Sequence, residues 1–340
     1  MRVLVTGAGG FLGGAIARML LARGDQVLAV QRGAAPELVS LGVAVIRGDL
    51  ADPHVAERAA KSCDGVIHVA AKAGHWGTYA SYFSANVLAT RNVLAACEKH
   101  GIAKLVYTST PSVVHAGGDL AGVNESAPIA EHFHAHYPAT KAIAEREVLR
   151  ANSAALSTCA LRPHLIWGPG DNHLLPRLIA RAKAGKLRFV GDGGNLLDTI
   201  YIDNAARAHL AALDRLNPDA ACAGKSYFLS NDEPLPVKVI VNRLIACAGL
   251  PPCNKHIPTA IAYVVGALME LSYRVLPLKG EPLLTRFVVS QLSTAHWFDL
   301  SAAKRDLGYR AEVSISEGLA RLTAALRSGA PQVGFQASSK

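Results

Sequence analysis

The sequence predicts an α/β fold, in which a doubly wound parallel sheet is covered by helices on both faces and a smaller, mostly helical lobe follows. Strands alternate with helical patterns along the first half of the chain, which is typical of a parallel sheet. The first strand leads directly into a glycine-rich turn and a helix. The length of 340 residues is sufficient for a complete core and a second lobe.

The first unit of the sheet carries a candidate binding motif. Residues 2–6 form a short apolar strand, and a helical pattern continues beyond the turn through Ile16. Gly7, Gly10 and Gly13 lie between them with the spacing G-x-x-G-x-x-G, a variant of G-x-G-x-x-G. Such a turn lets the backbone approach a pyrophosphate, which the helix N-terminus attracts. The unit predicts a Rossmann-type dinucleotide-binding domain, with a glycine turn that binds no ligand as the alternative.

The end of the second strand indicates which dinucleotide is bound. Residues 27–30 are apolar, and an NAD-selecting site would carry Asp or Glu directly after them to bind the ribose 2′-hydroxyl. Arg32 stands there instead, without a carboxylate. Its planar guanidinium suits a 2′-phosphate, so the predicted cofactor is NADP(H). A solvated loop arginine is the alternative.

A candidate acid–base pair lies further along the chain. Tyr137 and Lys141 are four residues apart at the predicted start of a helix, and Pro138 suits the first turn. One helical turn places the phenol and the ammonium on the same face. A nearby positive charge lowers the pKa of a tyrosine, which fits proton exchange with a carbonyl or alcohol oxygen. The spacing alone also occurs by chance on other helices.

Charge and histidine patterns argue against two other kinds of site. The formal charge of +9 is scattered, without a run of five basic residues, so no nucleic-acid partner is expected. A basic surface suits an anionic cofactor or acyl substrate instead. His132, His134 and His136 alternate just before Tyr137 but have no second cluster of ligands nearby. We therefore expect no metal site.

Cysteine spacing and the N-terminus point to the cytoplasm. The six cysteines show no CxxC spacing, which indicates free thiols in a reducing compartment. The first strand begins at Arg2, which fits no secretory signal. No transmembrane segment is expected, because the apolar stretch at residues 257–269 is too short to span a bilayer. That stretch could instead be a core helix, line a pocket for a long apolar substrate, or lie on a membrane or partner surface.

Several motifs follow one another along almost the whole chain. They are Thr6–Gly13, Asp49-Leu50, His68-Val69-Ala70-Ala71, Val106–Thr110, Tyr137–Lys141 and Leu161-Arg162-Pro163. Their order resembles that of the extended short-chain dehydrogenases/reductases, and within them the 3-beta-hydroxysteroid dehydrogenase-like branch. Residues 70–77, 107–113 and 165–171 carry a narrower likeness, to the β-keto acid reductases of bacterial long-chain olefin biosynthesis.

The resemblance implies a role for each matching residue. Tyr137 would be the acid/base, and Lys141 would bind the nicotinamide ribose and lower the tyrosine pKa. The third catalytic residue would be Thr110, with Ser109 as the competing choice, because adjacent strand residues face opposite sides. The implied cofactor contacts are Gly7, Gly10, Phe11, Leu12, Gly13, Arg32, Asp49, Leu50, Ala70, Ala71, Lys141, Pro163 and Leu165.

The chain is predicted to divide into two lobes. The predicted units are an NADP-binding domain at residues 1–167, to which residues 198–230 return, a substrate lobe at 168–197 and 231–328, and a flexible tail at 329–340. Within the first domain, residues 161–166 are predicted as the sixth strand, and residues 227–229 as a further one.

The predicted reaction is NADPH-dependent reduction of the ketone of a long-chain 2-alkyl-3-keto acid to the 3-hydroxy acid. The resemblance implies a homodimer through helices near residues 82–97 and 137–150, and a complex with another enzyme of the same pathway is a further expectation. We expect a cytoplasmic protein that could lie peripherally on a membrane. The alternatives are a 3β-hydroxysteroid or sterol dehydrogenase, a nucleotide-sugar epimerase or dehydratase, and a catalytically silent NADP-binding sensor.

Overall fold

The computed structural model describes residues 1–276, 278 and 280–328, so the predicted tail at residues 329–340 lies outside the described residues. The strands are β1 (Arg2–Thr6), β2 (Gln26–Gln31), β3 (Ala44–Arg47), β4 (Gly65–His68), β5 (Lys104–Thr108), β6 (Leu120–Val123), β7 (Ser157–Pro163), β8 (Ile166–Trp167), β9 (Phe189–Val190), β10 (Leu196–Leu197), β11 (Ile200–Tyr201), β12 (Lys225–Leu229), β13 (Leu235–Pro236), β14 (His256–Ile257) and β15 (His296–Phe298).

Helices cover both faces of the main sheet and make up most of the C-terminal part. They are α1 (Phe11–Ala22), α2 (Pro36–Ser40), α3 (Pro53–Ala60), α4 (Tyr79–Phe83), α5 (Ala89–His100), α6 (His136–Arg150), α7 (Leu174–Lys183), α8 (Ile202–Arg215), α9 (Val237–Cys247), α10 (Thr259–Val275), α11 (Arg286–Ser293), α12 (Ser301–Leu307) and α13 (Ile315–Arg327). A 3-10 turn, Pro111–Val114, follows β5, and a π-helical turn, Ser84–Leu88, joins α4 to α5.

Seven parallel strands form the central sheet in the order β12–β7–β5–β4–β1–β2–β3. The chain begins at β1, moves outward to β2 and β3, and then crosses to β4 on the other side of β1. This reversal opens a crevice at the carboxyl ends of β1 and β4, which is where ligands of doubly wound sheets bind. The predicted Rossmann-type fold class is confirmed.

Both faces of the central sheet are buried, because alternate residues of each strand enter two different cores. In β1, Val3 and Val5 pack in the core that contains Ile16 of α1. Leu4 points the other way, into the core that contains Val93 of α5. Burial on both faces explains why the central strands are continuous apolar runs.

The C-terminal part is mainly helical and is tied to the first half by short strands. A small mixed sheet has the order β13–β10–β15–β6, and two further pairs are β8 with β11 and β9 with β14. The strand β6 comes from the first half of the chain but pairs with β15 near the C-terminus. The boundaries of the two lobes given above remain a prediction.

The sixth strand of the sheet differs from its predicted position at residues 161–166. It begins at Ser157 and ends at Pro163, as β7. Leu165 adopts a positive φ of +43°, which turns the chain out of the extended conformation. Ile166 then pairs with Ile200 in the separate short pair β8–β11. Residues 227–229 lie in β12, beside β7, as predicted.

The apolar stretch at residues 257–269 forms most of α10, and α10 is not a core helix. It buries only Ala262, Gly266 and Glu270, whereas the opposite face is exposed. The exposed fractions range from 38% to 71% for Ile261, Val264, Val265, Leu268, Leu271 and Val275. Among the described residues, no helix is both long and apolar enough to cross a membrane.

Several histidines are enclosed by the fold and are held in the neutral form. Burial lowers the pKa of His68 to about 3, those of His164 and His209 to about 4, and that of His296 to about 2. His209 uses both ring nitrogens, at 2.7 Å from the Ala205 carbonyl and 2.8 Å from Thr108 Oγ1. Their protonation therefore opposes the folded state.

We expect the free energy of unfolding to fall as the pH decreases from about 6.5 to about 4. In this window the unfolded chain binds protons that the folded histidines do not, so acid favours unfolding. The replacement His209→Gln should flatten the dependence of Tm on pH, whereas His132→Gln, at an exposed position, should leave it unchanged. Equal pH dependence in wild type and His209→Gln would contradict this assignment.

Candidate functional site

The glycine turn after β1 has no room for side chains. Gly7 has a φ of +69°, and a Cβ added there would lie 2.9 Å from the Ala70 backbone nitrogen. A Cβ on Gly13 would lie 2.2 Å from the Gly7 carbonyl oxygen. The Gly10 amide donates to that same oxygen at 2.8 Å, which closes the turn. The predicted contacts Gly7, Gly10, Gly13 and Ala70 are therefore brought together.

The start of α1 fits an anionic group. The helix begins at Phe11, and its second residue, Leu12, is buried. No side chain caps the N-terminus at Gly10. Backbone N–H groups at an uncapped helix start attract phosphate. Because Gly7 and Gly13 have no side chains, a ligand can approach the backbone at the turn. The turn and the start of α1 therefore fit the pyrophosphate of a dinucleotide.

A chain of buried hydrogen bonds fixes the end of β4 beside the turn. The Ala70 amide donates to Thr6 Oγ1 at 3.0 Å, and that hydroxyl lies 2.7 Å from His68 Nδ1. The other ring nitrogen of His68 is 2.9 Å from Thr90 Oγ1. Ala71, the next predicted contact, is exposed at the mouth of the crevice. His68 orients Thr6, a role that its motif in the sequence does not reveal.

The predicted adenosine end of the site lies at the ends of β2 and β3. Arg32 is exposed directly after β2, and Arg47 Nε donates to its carbonyl at 3.3 Å. Asp49 is also exposed and accepts the Ala51 amide at 3.0 Å, while Leu50 is buried. Arg47 is a second guanidinium beside Arg32 that sequence reasoning missed, since its position depends on the pairing of β3 with β2.

Lys141 is enclosed at the carboxyl end of β5. Its side chain is 2% exposed, and Nζ donates to the Thr108 carbonyl at 2.5 Å. Nζ also lies 4.1 Å from the centre of the Tyr107 ring. Burial lowers the pKa of Lys141 to about 7, and the Glu145 carboxylate, one turn along α6, acts in the opposite direction.

Tyr137 lies half-buried at the start of α6, next to Thr110. Burial raises the pKa of the phenol, and a hydrogen bond with the Thr110 hydroxyl opposes this effect. The sequence predicted a lowered tyrosine pKa, and the net direction in the structure is the reverse. The reason is that burial outweighs the polar contacts of the phenol.

Ser109 and Thr110 have different partners. The Ser109 hydroxyl donates to the buried carboxylate of Glu145, behind the crevice. Thr110 ends the extended segment, accepts the Ser112 amide at 3.3 Å and makes the contact with Tyr137. The two side chains thus face opposite sides, as strand geometry requires.

Pro163 and Leu165 flank the point where the chain leaves the sheet. Pro163 is the last, buried residue of β7, and Leu165 is the turning residue with positive φ. A positive φ is uncommon for a leucine and marks a conformation imposed by its surroundings. Both residues lie at the same carboxyl edge of the sheet as Thr108 and Lys141, because β7 is the neighbour of β5.

The chain is similar to known proteins over almost its whole length. It is 56% identical over 326 residues to a "2-alkyl-3-oxoalkanoate reductase" of Stenotrophomonas maltophilia (strain K279a), covering 95% of this chain and 99% of the relative. It is 32% identical to a mouse "Sterol-4-alpha-carboxylate 3-dehydrogenase, decarboxylating", over 93% of this chain and 88% of the relative.

Solved structures share the fold. The structure described as "MoeE5 in complex with UDP-glucose and NAD" has a TM-score of 0.74 and 26% identity, over 96% of this chain and 99% of that chain. The model of the "3-beta hydroxysteroid dehydrogenase/isomerase family" matches residues 4–257. The chain therefore belongs to the 3-beta hydroxysteroid dehydrogenase/isomerase family and is an NAD(P)-dependent oxidoreductase of the extended short-chain dehydrogenase/reductase type.

Proposed function

We propose that this enzyme uses NADPH to reduce the ketone of a long-chain 2-alkyl-3-keto acid to the 3-hydroxy acid. The observation that carries the proposal is the 56% identity to a 2-alkyl-3-oxoalkanoate reductase, which extends over 99% of that relative. The enclosed group of Tyr137, Thr110 and Lys141 at one edge of the sheet supports a carbonyl reaction.

The proposed mechanism assigns one task to each of these side chains. When bound, the nicotinamide cofactor supplies hydride to the carbonyl carbon. Tyr137 holds a proton on its phenol oxygen and transfers it to the oxygen of the substrate. The raised pKa of the phenol keeps that proton in place until the oxygen becomes basic. Thr110 orients the phenol and the substrate oxygen. Lys141 would bind the nicotinamide ribose, and its ammonium stabilises negative charge on the phenol and the substrate oxygen.

The change Tyr137→Phe should lower kcat by about two to four orders of magnitude, the usual contribution of a positioned general acid. Tm and cofactor affinity should stay close to wild type, because the ring and its packing are retained. Tyr79→Phe is the matched control, since Tyr79 is 45% exposed on α4 and should keep full activity. Near-normal turnover by Tyr137→Phe would exclude it as the proton donor.

The preference for NADPH is proposed to depend on Arg32 and Arg47. Both guanidinium groups are exposed at the ends of neighbouring strands, where a 2′-phosphate would sit. Residues 27–33 include no carboxylate to bind a ribose 2′-hydroxyl. Asp49 and Leu50 would lie beside the adenine, and Pro163, Leu165 and Ala71 beside the nicotinamide ribose.

The change Arg32→Asp should weaken NADPH binding by about 1.5–3 kcal/mol, the scale of a contact between charged groups, and should narrow the advantage over NADH. Equilibrium binding of both cofactors measures this difference. Arg58→Asp makes the same charge change at an exposed position on α3 and should have little effect. A wild-type enzyme that bound NADH as tightly as NADPH would refute the proposed role.

The substrate pocket is proposed to lie under the hairpin of α10 and α11. The Pro282 carbonyl lies 3.0 Å from His75 Nε2, and the ring of Tyr273 lies 5.9 Å from that of Trp76. Burial raises the pKa of Tyr82 to about 12, and the nearby Glu281 and Tyr137 side chains act in the same direction. These contacts support a hairpin that packs over the loop after β4, close to the proposed proton donor.

We expect kcat/KM to rise with the alkyl chain length of the keto acid by about 0.8 kcal/mol per buried methylene until the pocket is full. NADPH oxidation measured across a chain-length series tests this expectation. Keto-steroids and nucleotide sugars serve as comparison substrates. A flat profile would refute an alkyl pocket, and a clear preference for a steroid or a nucleotide sugar would refute the proposed substrate class.

The exposed face of α10 supports the proposal of a cytoplasmic enzyme that lies peripherally on a membrane. The outward apolar residues Ile261, Val264, Leu268, Leu271 and Val275 form a stripe along the helix, which Val265 widens. Leu276, Leu278 and Leu283 continue the apolar surface at the tip of the hairpin. The formal charge of +9 favours anionic lipid, and a two-chain fatty acid partitions into bilayers.

The change Leu268→Asp should reduce binding to vesicles of phosphatidylethanolamine and phosphatidylglycerol by about tenfold or more, because it places a charge within the apolar face. Flotation of the protein with the vesicles measures the effect. Leu268 is 58% exposed, so Tm should stay near wild type. Val39→Asp, at a 60% exposed position on α2, is the control. Equal flotation of all three proteins would refute membrane contact by α10.

Association with other chains completes the proposal. A homodimer is proposed through α5 and α6, where Arg91 and Glu147 form a partly exposed ion pair at 2.6 Å. Tyr79 at the start of α4 and Leu88 at the end of the π-helical turn, both shortly before α5, are exposed apolar side chains. A complex with a second enzyme of the same pathway is proposed because the substrate is poorly soluble in water. Light scattering of the purified protein tests the dimer directly.

A further inference from the structure

A buried ion pair lies directly behind the group of Tyr137, Thr110 and Lys141. Glu145 is fully buried, and Arg162 of β7 is 3% exposed. Arg162 donates from Nη2 to Glu145 Oε1 at 2.5 Å and from Nε to Glu145 Oε2 at 3.1 Å. The Ser109 hydroxyl donates to the same carboxylate. We call these three residues the Ser109–Glu145–Arg162 network.

The network holds the segment of chain on which the site is built. The last residue of β5 and the two residues after it each meet a different partner on α6. The Thr108 carbonyl binds Lys141, the Ser109 hydroxyl binds Glu145, and the Thr110 hydroxyl contacts Tyr137. Because adjacent residues of an extended chain face opposite sides, a fixed Ser109 turns Thr110 toward the phenol.

Glu145 is the member of the network that places its carboxylate next to an enclosed cation. Glu145 follows Lys141 by one turn of α6, so both side chains lie on the same face of the helix. Lys141 has lost almost all contact with water, which disfavours its ammonium form. The carboxylate of Glu145 acts against this effect.

We propose that Glu145 is a positioning residue for the reaction, whose carboxylate keeps Lys141 cationic and whose bond to Ser109 turns Thr110 toward Tyr137. Arg162 holds the carboxylate in place with two charge-assisted hydrogen bonds. The inference rests on the proposed function for the role of Lys141. A purely structural ion pair is the competing explanation, since many buried pairs contribute little to stability.

The experiment replaces the network without leaving a buried charge unpaired. Glu145→Gln alone would strand the Arg162 cation, so it is combined with Arg162→Met, which fills the volume of the arginine stem. The new amide still accepts the Ser109 hydroxyl. Cofactor affinity is measured between about pH 5 and pH 9 by the quenching of tryptophan fluorescence on NADPH binding, and kcat is measured over the same range.

We expect affinity and kcat to fall as the pH rises through the pKa of Lys141. In the double variant, the midpoint of that fall should move to lower pH by about one unit, because the charge that acts on the ammonium is the lost Glu145 carboxylate and not the lost Arg162 cation. A lower Tm with an unmoved midpoint would overturn the role assigned to Glu145. NADPH binding requires no keto acid, so this readout stays valid even if the proposed substrate is wrong.

Ser109→Ala tests the second half of the proposal. It keeps the ion pair and removes only the bond that fixes Ser109, so the midpoint should stay in place. Looser placement of Thr110 should lower kcat by about tenfold, with Tm within a few degrees of wild type. An unchanged kcat in Ser109→Ala would overturn the orienting role of the network.

Discussion

Close backbone contact at the glycine turn is the constraint on which the rest of the structure depends. Gly7 and Gly13 meet each other and the end of β4 without intervening side chains. This contact brings β1, β4 and α1 to one point at the carboxyl edge of the sheet. The Ala70 amide then donates to the hydroxyl of Thr6, which continues the pairing of β1 with β4 into the loop at the crevice.

A second group of contacts builds the reactive end of the crevice from neighbouring strands. The strands β5 and β7 are paired in register, and α6 packs on β7 while its Lys141 reaches the end of β5. Lys141 and Glu145 therefore lie one turn apart on the same face of α6. Lys141 contacts the end of β5, and Glu145 contacts Arg162 near the end of β7. Burial is the dominant influence on Tyr137 and Lys141, and it acts on them in opposite directions, raising one pKa and lowering the other.

The fold could be predicted from the sequence because its signals are local. A strand, a glycine turn and a helix in that order define the first unit. Tyr137 and Lys141 both lie on α6, one turn apart, as their spacing in the sequence predicts. The partners of Ser109 and Glu145 could not be predicted, because they depend on how α6 packs on β5 and β7. The apolar stretch of α10 was ambiguous for a related reason: composition alone does not tell which face of a helix meets the core, and only Ala262 and Gly266 among its small residues do.

The π-helical turn at Ser84–Leu88 fixes the length of the chain between α4 and α5. Within it, the Asn86 side chain forms hydrogen bonds with the backbone of Lys72 and the hydroxyl of Thr140. The backbone carbonyl of Asn86 accepts the Thr90 hydroxyl at 2.7 Å. The wide turn takes up one additional residue without changing the phase of the helix after it, so Thr90 still faces His68 while Asn86 reaches Lys72 and Thr140. Closing the turn to an ordinary helix would withdraw Asn86 from both partners, so this one residue ties the loop after β4 to α6.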